Sequence, residues 1–243
     1  MPVSTSLSML FNTAQSIEVN RSQLVAQSMS RNGKLLLASR NWVNPWRFVV
    51  RPRPVWDWSD YRGSIETLMQ ADRFSQQTLQ IGTDAFSNTA SNWMWQYQGD
   101  FLSYQISAGV TAQVSDGNEL TIRFYGDGTT PESAYYIIDN AGPDFKIFGL
   151  GDIIQATGNP YPHMITSDIY KAWSNRTRVE DQYWEYTVPL HRGWLGTTAS
   201  GQNLLVGSQC TFNLVATKLP VYRFIPPKRV EFTGEFEFTE VVE

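Results

Sequence analysis

Apolar and polar residues alternate with a period of two along much of this chain, the pattern of strands with one buried face. The clearest run is VEFTGEFEFTEVV, residues 230–242. It places Val230, Phe232, Phe236 and Phe238 on one face and Glu231, Thr233, Glu235 and Glu237 on the other, and reads as one terminal strand. WEYTVPLH alternates Trp184, Tyr186, Val188 and Leu190, with Pro189 pointing to a sheet edge because proline cannot donate to a ladder. QCTFNLVAT sets Cys210, Phe212 and Leu214 against Thr211, Asn213 and Val215. In KIFGLGDIIQATG a Gly-Leu-Gly-Asp turn precedes a strand to Gly158, and HMITSDIY reads as the next strand. Nearer the N-terminus, Asn32-Gly33 predicts a type I′ hairpin between strands at about 22–30 and 35–43. Trp46–Val50 follows as a third strand, closed by Arg51-Pro52-Arg53-Pro54.

One segment changes period. Tyr61, Ile65, Leu68 and Met69 share a helical face, which predicts a helix over about 60–73, capped by Asp57 or Ser59. Asp60 and Arg73 suit its dipole. It is the one helix the pattern supports. Residues 76–145 mix polar stretches with short apolar runs such as ELTIRFY and AYYIID, and read as a loop-rich β region. The expected fold is mainly β: a split β-sandwich or barrel with one packed helix. Residues 1–80 and 146–243 form its core, and 81–145 are a loop-rich β insertion.

Composition narrows the function. Hydrophobic residues make up 42% of the chain, enough for a substantial core. Charged residues are only 17%, and aromatics 14%, which suits a surface partly buried against partners or a large aromatic core. Net charge is −4 and no Lys/Arg block occurs, so the footprint of a nucleic-acid binder is missing. A single cysteine, Cys210, excludes an intrachain disulfide. No signal peptide and no membrane-length apolar run is evident, so synthesis in a cytoplasm and no membrane partner are expected.

Candidate chemistry is sparse. His163 and His191 are the only histidines, outside any HxH or HExxH spacing, and Cys210 reads as core. Gly149-Leu-Gly-Asp152 is not a phosphate loop. Asp57, Asp60, Asp100, Asp152 and Asp168 offer carboxylates, but no spacing singles out a glycosidase pair. No cofactor, metal or catalytic residue is expected, and a glycan-cleaving enzyme is the weakest reading. What stands out is residues 40–73, with four tryptophans, three prolines and six arginines. A sugar cleft, a single-strand nucleic-acid groove or a self-docking surface would each use such a run. A carbohydrate-binding β module would present a flat set such as Trp56, Trp58, Trp93 and Trp95. An assembly surface would bury Trp42, Trp46, Phe48 and Tyr61 and leave Arg47, Arg51 and Arg53 outside for a neighbour's carboxylates.

The order of elements resembles baseplate and distal-tail proteins of tailed bacteriophages. Three features carry the likeness: the early extended segment FNTAQSIEVNRSQLVAQSMSRNGKLLLASR, the strand RNWVNPWRFVVRPRP, and the helix SDYRGSIETLMQADR. GDIIQATG, HMITSDIY and TVPLHRGW resemble the same group's small β-barrel segment, and VYRFIPPKRVEFTGEFEFTEVVE resembles a closing hairpin. The likeness covers about 5–75 and 146–243. It implies a structural, non-enzymatic virion protein made in the bacterial host. Such proteins form a ring, most often a hexamer, joining the tail tube protein to the hub protein and to outer wedge or fibre proteins. Trp42, Trp46, Arg47, Arg51, Arg53, Trp56 and Trp58 become candidate interface residues. Glu231, Glu235 and Glu237 either line a channel that passes DNA without gripping it, meet a neighbour's arginines, or form an ordinary solvated face.

Overall fold

The computed structural model describes residues 5–20, 25–29, 35–39, 44–70, 76–80, 96–101, 110–126, 129–179, 182–196 and 202–242. The chain divides into two compact units. Met1–Leu37, Asn44–Met94 and Thr211–Glu243 form the first, and Ala38–Val43 with Trp95–Cys210 the second. A two-stranded sheet pairs β2 (Val25–Met29) with β3 (Leu35–Ser39), as the hairpin pattern predicts. Its turn, with Gly33, lies outside the described residues.

The first unit is built on an antiparallel sheet ordered β1 (Ser16–Asn20), β4 (Arg47–Arg51), β19 (Phe236–Glu240), β16 (Thr211–Lys218), β6 (Gln77–Gln80). Period-two alternation buries Phe48, Val50, Phe212, Leu214, Phe236 and Phe238 on one face. The helix α1 (Thr5–Thr13) sets Leu7, Leu10 and Phe11 against it, with the Phe11 ring 5.5 Å from Phe48 and 6.0 Å from Phe238. A three-stranded sheet, β17 (Val221–Ile225), β18 (Arg229–Thr233) and β5 (Val55–Asp57), leads directly into the helix α2 (Trp58–Gln70). Asp57 accepts the Ser59 N–H at 2.9 Å, which satisfies one of the helix's orphan donors. Ile65 and Leu68 of α2 are buried, on the face the sequence assigns. Gln80 of β6 lies opposite Thr211 of β16, so the chain leaves this sheet and rejoins it at one point.

The second unit centres on a seven-stranded antiparallel sheet. Its order is β11 (His163–Met164), β10 (Ile153–Ala156), β15 (Gln202–Val206), β7 (Val110–Asp116), β8 (Glu119–Tyr125), β14 (Tyr183–Pro189), β13 (Arg176–Val179). A smaller ladder joins β9 (Lys146–Phe148) to β12 (Ile169–Tyr170). Leu120, Ile122 and Phe124 from β8 and Tyr186 and Val188 from β14 are fully buried. The short helix α3 (Ala134–Asn140), capped by Ser133, adds Tyr135 and Ile138 to that core.

The chain is therefore mainly β, with several antiparallel sheets and a few short helices. Six expectations change. Three α-helices occur among the described residues, not one. Phe11–Thr13, read as extended, end α1, where Leu7, Leu10 and Phe11 sit at i, i+3 and i+4 in a segment too short to outweigh its serines and threonines. The terminal run is two strands in different sheets, split at Gly234, whose φ of +102° lets the chain turn. HMITSDIY likewise divides into β11 and β12, in separate ladders. Residues 81–145 do not stand apart from 146–210: β7 and β8 are central strands of the sheet holding β10, β14 and β15, and the second compact unit takes in Trp95–Cys210. Pro189 is also not on an edge strand. β14 lies between β8 and β13, but β13 covers only Tyr183–Tyr186, so the missing N–H at Pro189 is spared a partner.

Phe238→Ala opens a cavity at the centre of the first sheet. It should cost about 3–5 kcal/mol in denaturant unfolding, whereas Val221→Ala at an exposed position should stay within about 0.5 kcal/mol.

Candidate interaction surface

The first unit carries an aromatic cluster that reaches solvent. Alternation along β17 turns Tyr222 and Phe224 toward Trp58, the first residue of α2. The Trp58 and Tyr222 rings stack at 6.1 Å with 27° between planes, and Phe224 meets Trp58 edge-on at 4.8 Å. The Arg62 guanidinium, one helical turn on, lies 5.9 Å from the Trp58 ring. Tyr222 donates its hydroxyl to Glu66 at 3.2 Å. Phe224 is nonetheless 61% exposed, and Val221, on the opposite face of β17, is 73% exposed. β17 is an edge strand of its sheet. Pro220 precedes it and Pro226 and Pro227 follow it, so its free ladder is five residues long.

The structure sorts the predicted interface residues. Trp42 lies outside the described residues. Trp46 and Trp56 are 1% exposed and belong to the core, so neither offers a face to a partner or a sugar. Trp56 packs on Tyr61 and Phe232 and donates Nε1–H to the Arg53 carbonyl at 2.6 Å. Its burial follows from β5, where it faces Val230 of β18. The platform Trp56, Trp58, Trp93 and Trp95 is therefore not assembled: Trp56 is buried and Trp93 and Trp95 are outside the described residues. Among the described interface tryptophans, Trp58 alone is half-buried at the surface. Arg53 is exposed and spans Trp56 and Tyr61 at 5.5 and 5.7 Å.

Arg47 and Arg51 sit on the outer face of β4, as expected, but their carboxylates come from the same chain. Arg47 meets Glu237 at 2.6 Å, Lys218 joins Glu237 at 3.1 Å, and Arg51 meets Glu235 at 2.5 Å. The register explains this. Glu237 lies opposite Val49, one diagonal step from Arg47, and Arg51 follows Val50, the partner of Phe236. Glu231 is in the other sheet, opposite Arg223, and bonds it at 2.5 Å. Glu231, Glu235 and Glu237 are thus no continuous acidic row, and each has an intrachain cation. The bonds from Arg47 and Lys218 hold Glu237 below the usual carboxylate range. Sequence reasoning missed Tyr222, Phe224 and Arg62. The signal for Tyr222 and Phe224 was the alternation in VYRFI between prolines; Arg62 had none beyond its place one turn after Trp58.

The second unit holds buried titratable groups. His163, wholly buried, stacks on Trp194 at 4.3 Å, and its Nε2 accepts the Leu195 N–H at 3.1 Å. His191 is 6.3 Å away, and its Nδ1 accepts the Met164 N–H. Arg192, also wholly buried, donates to the Pro162 carbonyl at 2.8 Å. The two histidines meet because Ile165 and Leu190 bridge, a proximity their 28-residue separation does not disclose. Burial, reinforced by Arg192 and His191, holds His163 well below its usual 6.5. Asp152 accepts the backbone N–H groups of Gly149 and Gln98 at 2.8 and 2.9 Å, yet burial pushes it up to about 6. Each group is bonded to backbone and ties loops together. Burial raises the Cys210 thiol as well, consistent with a core residue. Among the described residues no three His, Cys, Asp or Glu gather as a metal site requires, and no helix is long and apolar enough to cross a membrane.

Two outcomes follow from these environments. Trp56→Ala should cost about 3–5 kcal/mol of stability, while Trp58→Ala should cost well under half of that, measured by denaturant unfolding. The second concerns pH. A histidine with a depressed folded pKa contributes stability above the unfolded value, and that contribution is lost as pH falls. Thermal melts from pH 7.5 to 4.5 should show His163→Gln gaining on the wild type below pH 6.5, by up to about 1.4 kcal/mol per pH unit. Asp152 acts in the opposite sense. Its raised pKa costs stability as pH rises from about 4 toward 6, so Asp152→Asn should gain on the wild type as pH rises. No family model and no curated protein matches this sequence.

Proposed function

We propose that this chain is a structural component of a bacteriophage tail tip or baseplate, acting without catalysis or cofactor. In this reading it forms a ring, a hexamer, within the virion, after synthesis in the cytoplasm of the host bacterium. Its neighbours are the tail tube protein, the hub protein and outer wedge or fibre proteins. The sheets of the first unit form a split β-sandwich, and DNA passes the ring without being specifically bound. The observation that carries the reading is the exposed β17 edge, with Val221 and Phe224 in solvent beside Trp58 and Arg62. Large aromatics and arginine are the residue types that dominate protein interfaces. The turn at Gly149–Asp152, feeding β10 into pairing with β11, supports the resemblance of that segment.

Glu231, Glu235 and Glu237 enter this reading differently from a bare acidic wall. Each already meets a cation of its own chain, so a channel lined by them would be charge-compensated and would neither grip nor strongly repel phosphates. Carbohydrate binding is the second reading, resting on the Trp58–Tyr222 stack. Quantitative mass spectrometry of purified particles separates the two. A ring protein is present at a fixed copy number per virion, six for a hexamer, and shows no saturable binding to a glycan array. Absence from particles, together with glycan binding abolished by Trp58→Ala, would replace this reading with the receptor module.

A further inference from the structure

We infer that copies of this chain join head to tail through strand pairing, with β1 of one copy adding to the free edge of β17 on the next. This rests on the ring reading and names its contact.

Both strands end their sheets, and both are five residues long. An edge strand is a template for another chain unless something blocks it. On β1, Ile17 and Val19 are half-buried while Ser16, Glu18 and Asn20 face outward. On β17, Tyr222 and Phe224 share the face toward Trp58, and Val221 and Arg223 share the other. Laid antiparallel about their centres, Glu18 falls opposite Arg223, Ile17 opposite Phe224 and Val19 opposite Tyr222. The apolar pairs then share one face and the ion pair the other. Arg223 is 71% exposed, and its fork of five donors exceeds what the Nε and Nη2 contacts to Glu231 use.

The alternatives are less favourable on charge. β17 against a second β17 in the same register sets Arg223 against Arg223, and β1 against β1 sets Glu18 against Glu18. Like charges directly opposite each other destabilise a strand pair. The charges thus disfavour the two-fold contact and favour the unlike one, a contact that closes rings or extends filaments. Of the remaining edges of the first unit's two larger sheets, β6 carries no charge, and β5 is three residues long with Asp57 already bound to Ser59. Antiparallel pairing is chosen because every strand register described in the chain is antiparallel.

Cysteine cross-linking on the full chain tests the contact, since the native Cys210 is buried. Asn20→Cys and Val221→Cys face each other in this register and both are exposed. Mixed and oxidised, they should give a covalent dimer that neither variant gives alone. Glu18→Arg and Arg223→Glu should each weaken self-association about tenfold in analytical ultracentrifugation, and the double variant should restore it. Thermal melts show whether each variant folds, and the cysteine pair decides the matter if a charge variant does not. Oligomers without the Asn20–Val221 cross-link would overturn this contact and leave the ring reading standing, as would cross-linking from Ser16→Cys instead. A chain that remains monomeric at every concentration would overturn the self-pairing, and particle composition would then decide the ring reading separately.

Discussion

The last strand of the chain is the middle strand of the first unit's sheet. β19 sits between β4 and β16; the Glu240 N–H donates to the Trp46 carbonyl and the Trp46 N–H to the Glu240 carboxylate, across 194 residues of sequence. Everything in that unit depends on this pairing. Without β19 the rings of Phe48 and Phe212 face water, and α1 has no floor for Phe11. The entropy of closing so long a loop grows only as the logarithm of its length, and a compact unit between Trp95 and Cys210 shortens the effective loop further. Non-local pairing of this kind is slow to form rather than costly to keep.

The same register determines the surface. Once Phe236 and Phe238 are committed inward, Glu235 and Glu237 must lie outward, and the β4 register brings Arg51 and Arg47 beside them. Glu240, two residues on from Phe238, is carried inward by the same alternation, and the Trp46 N–H meets its carboxylate at 3.0 Å. The arginines and glutamates that the sequence presents as two separate candidate surfaces, 47–53 and 231–237, are largely one another's partners. Exposed pairs of this kind add little stability. Their effect is to cancel the charge of a face that either run alone would have made strongly basic or acidic.

How much was legible depended on whether a signal was local. The alternation in WEYTVPLH and QCTFNLVAT, the face of α2, its Asp57 cap and the turn before Ile153 are written in neighbouring residues, and the structure holds them as read. What failed was of two kinds. Short helices such as α1 and α3 carry too few turns for their periodicity to rise above mixed composition. Partnerships were the second. Nothing in the spacing of His163 and His191 says that Ile165, just after β11, and Leu190, just after β14, are bridged, nor does the sequence say that Glu237 would reach Arg47. The tryptophans show this most clearly: their abundance in 40–73 was plain, but Trp46 and Trp56 face cores that only tertiary pairing creates, while Trp58 reaches the surface.

An exposed edge such as β17 is a liability that a stable monomer would ordinarily cover or guard with charge. Among the described residues no strand covers this edge, and the chain limits it instead. Prolines at 220, 226 and 227 cut the ladder to five residues, and Arg223 at its centre opposes a second β17. Both devices leave the edge open to a strand with an acidic centre and apolar flanks, which is the composition of β1. On the proposed pairing the edge disfavours a second β17 and accepts β1, which is the asymmetry that head-to-tail assembly needs. The packing of Trp58, Tyr222 and Phe224 supplies a rigid apolar floor beside it, so an incoming strand would meet side chains already ordered by the fold.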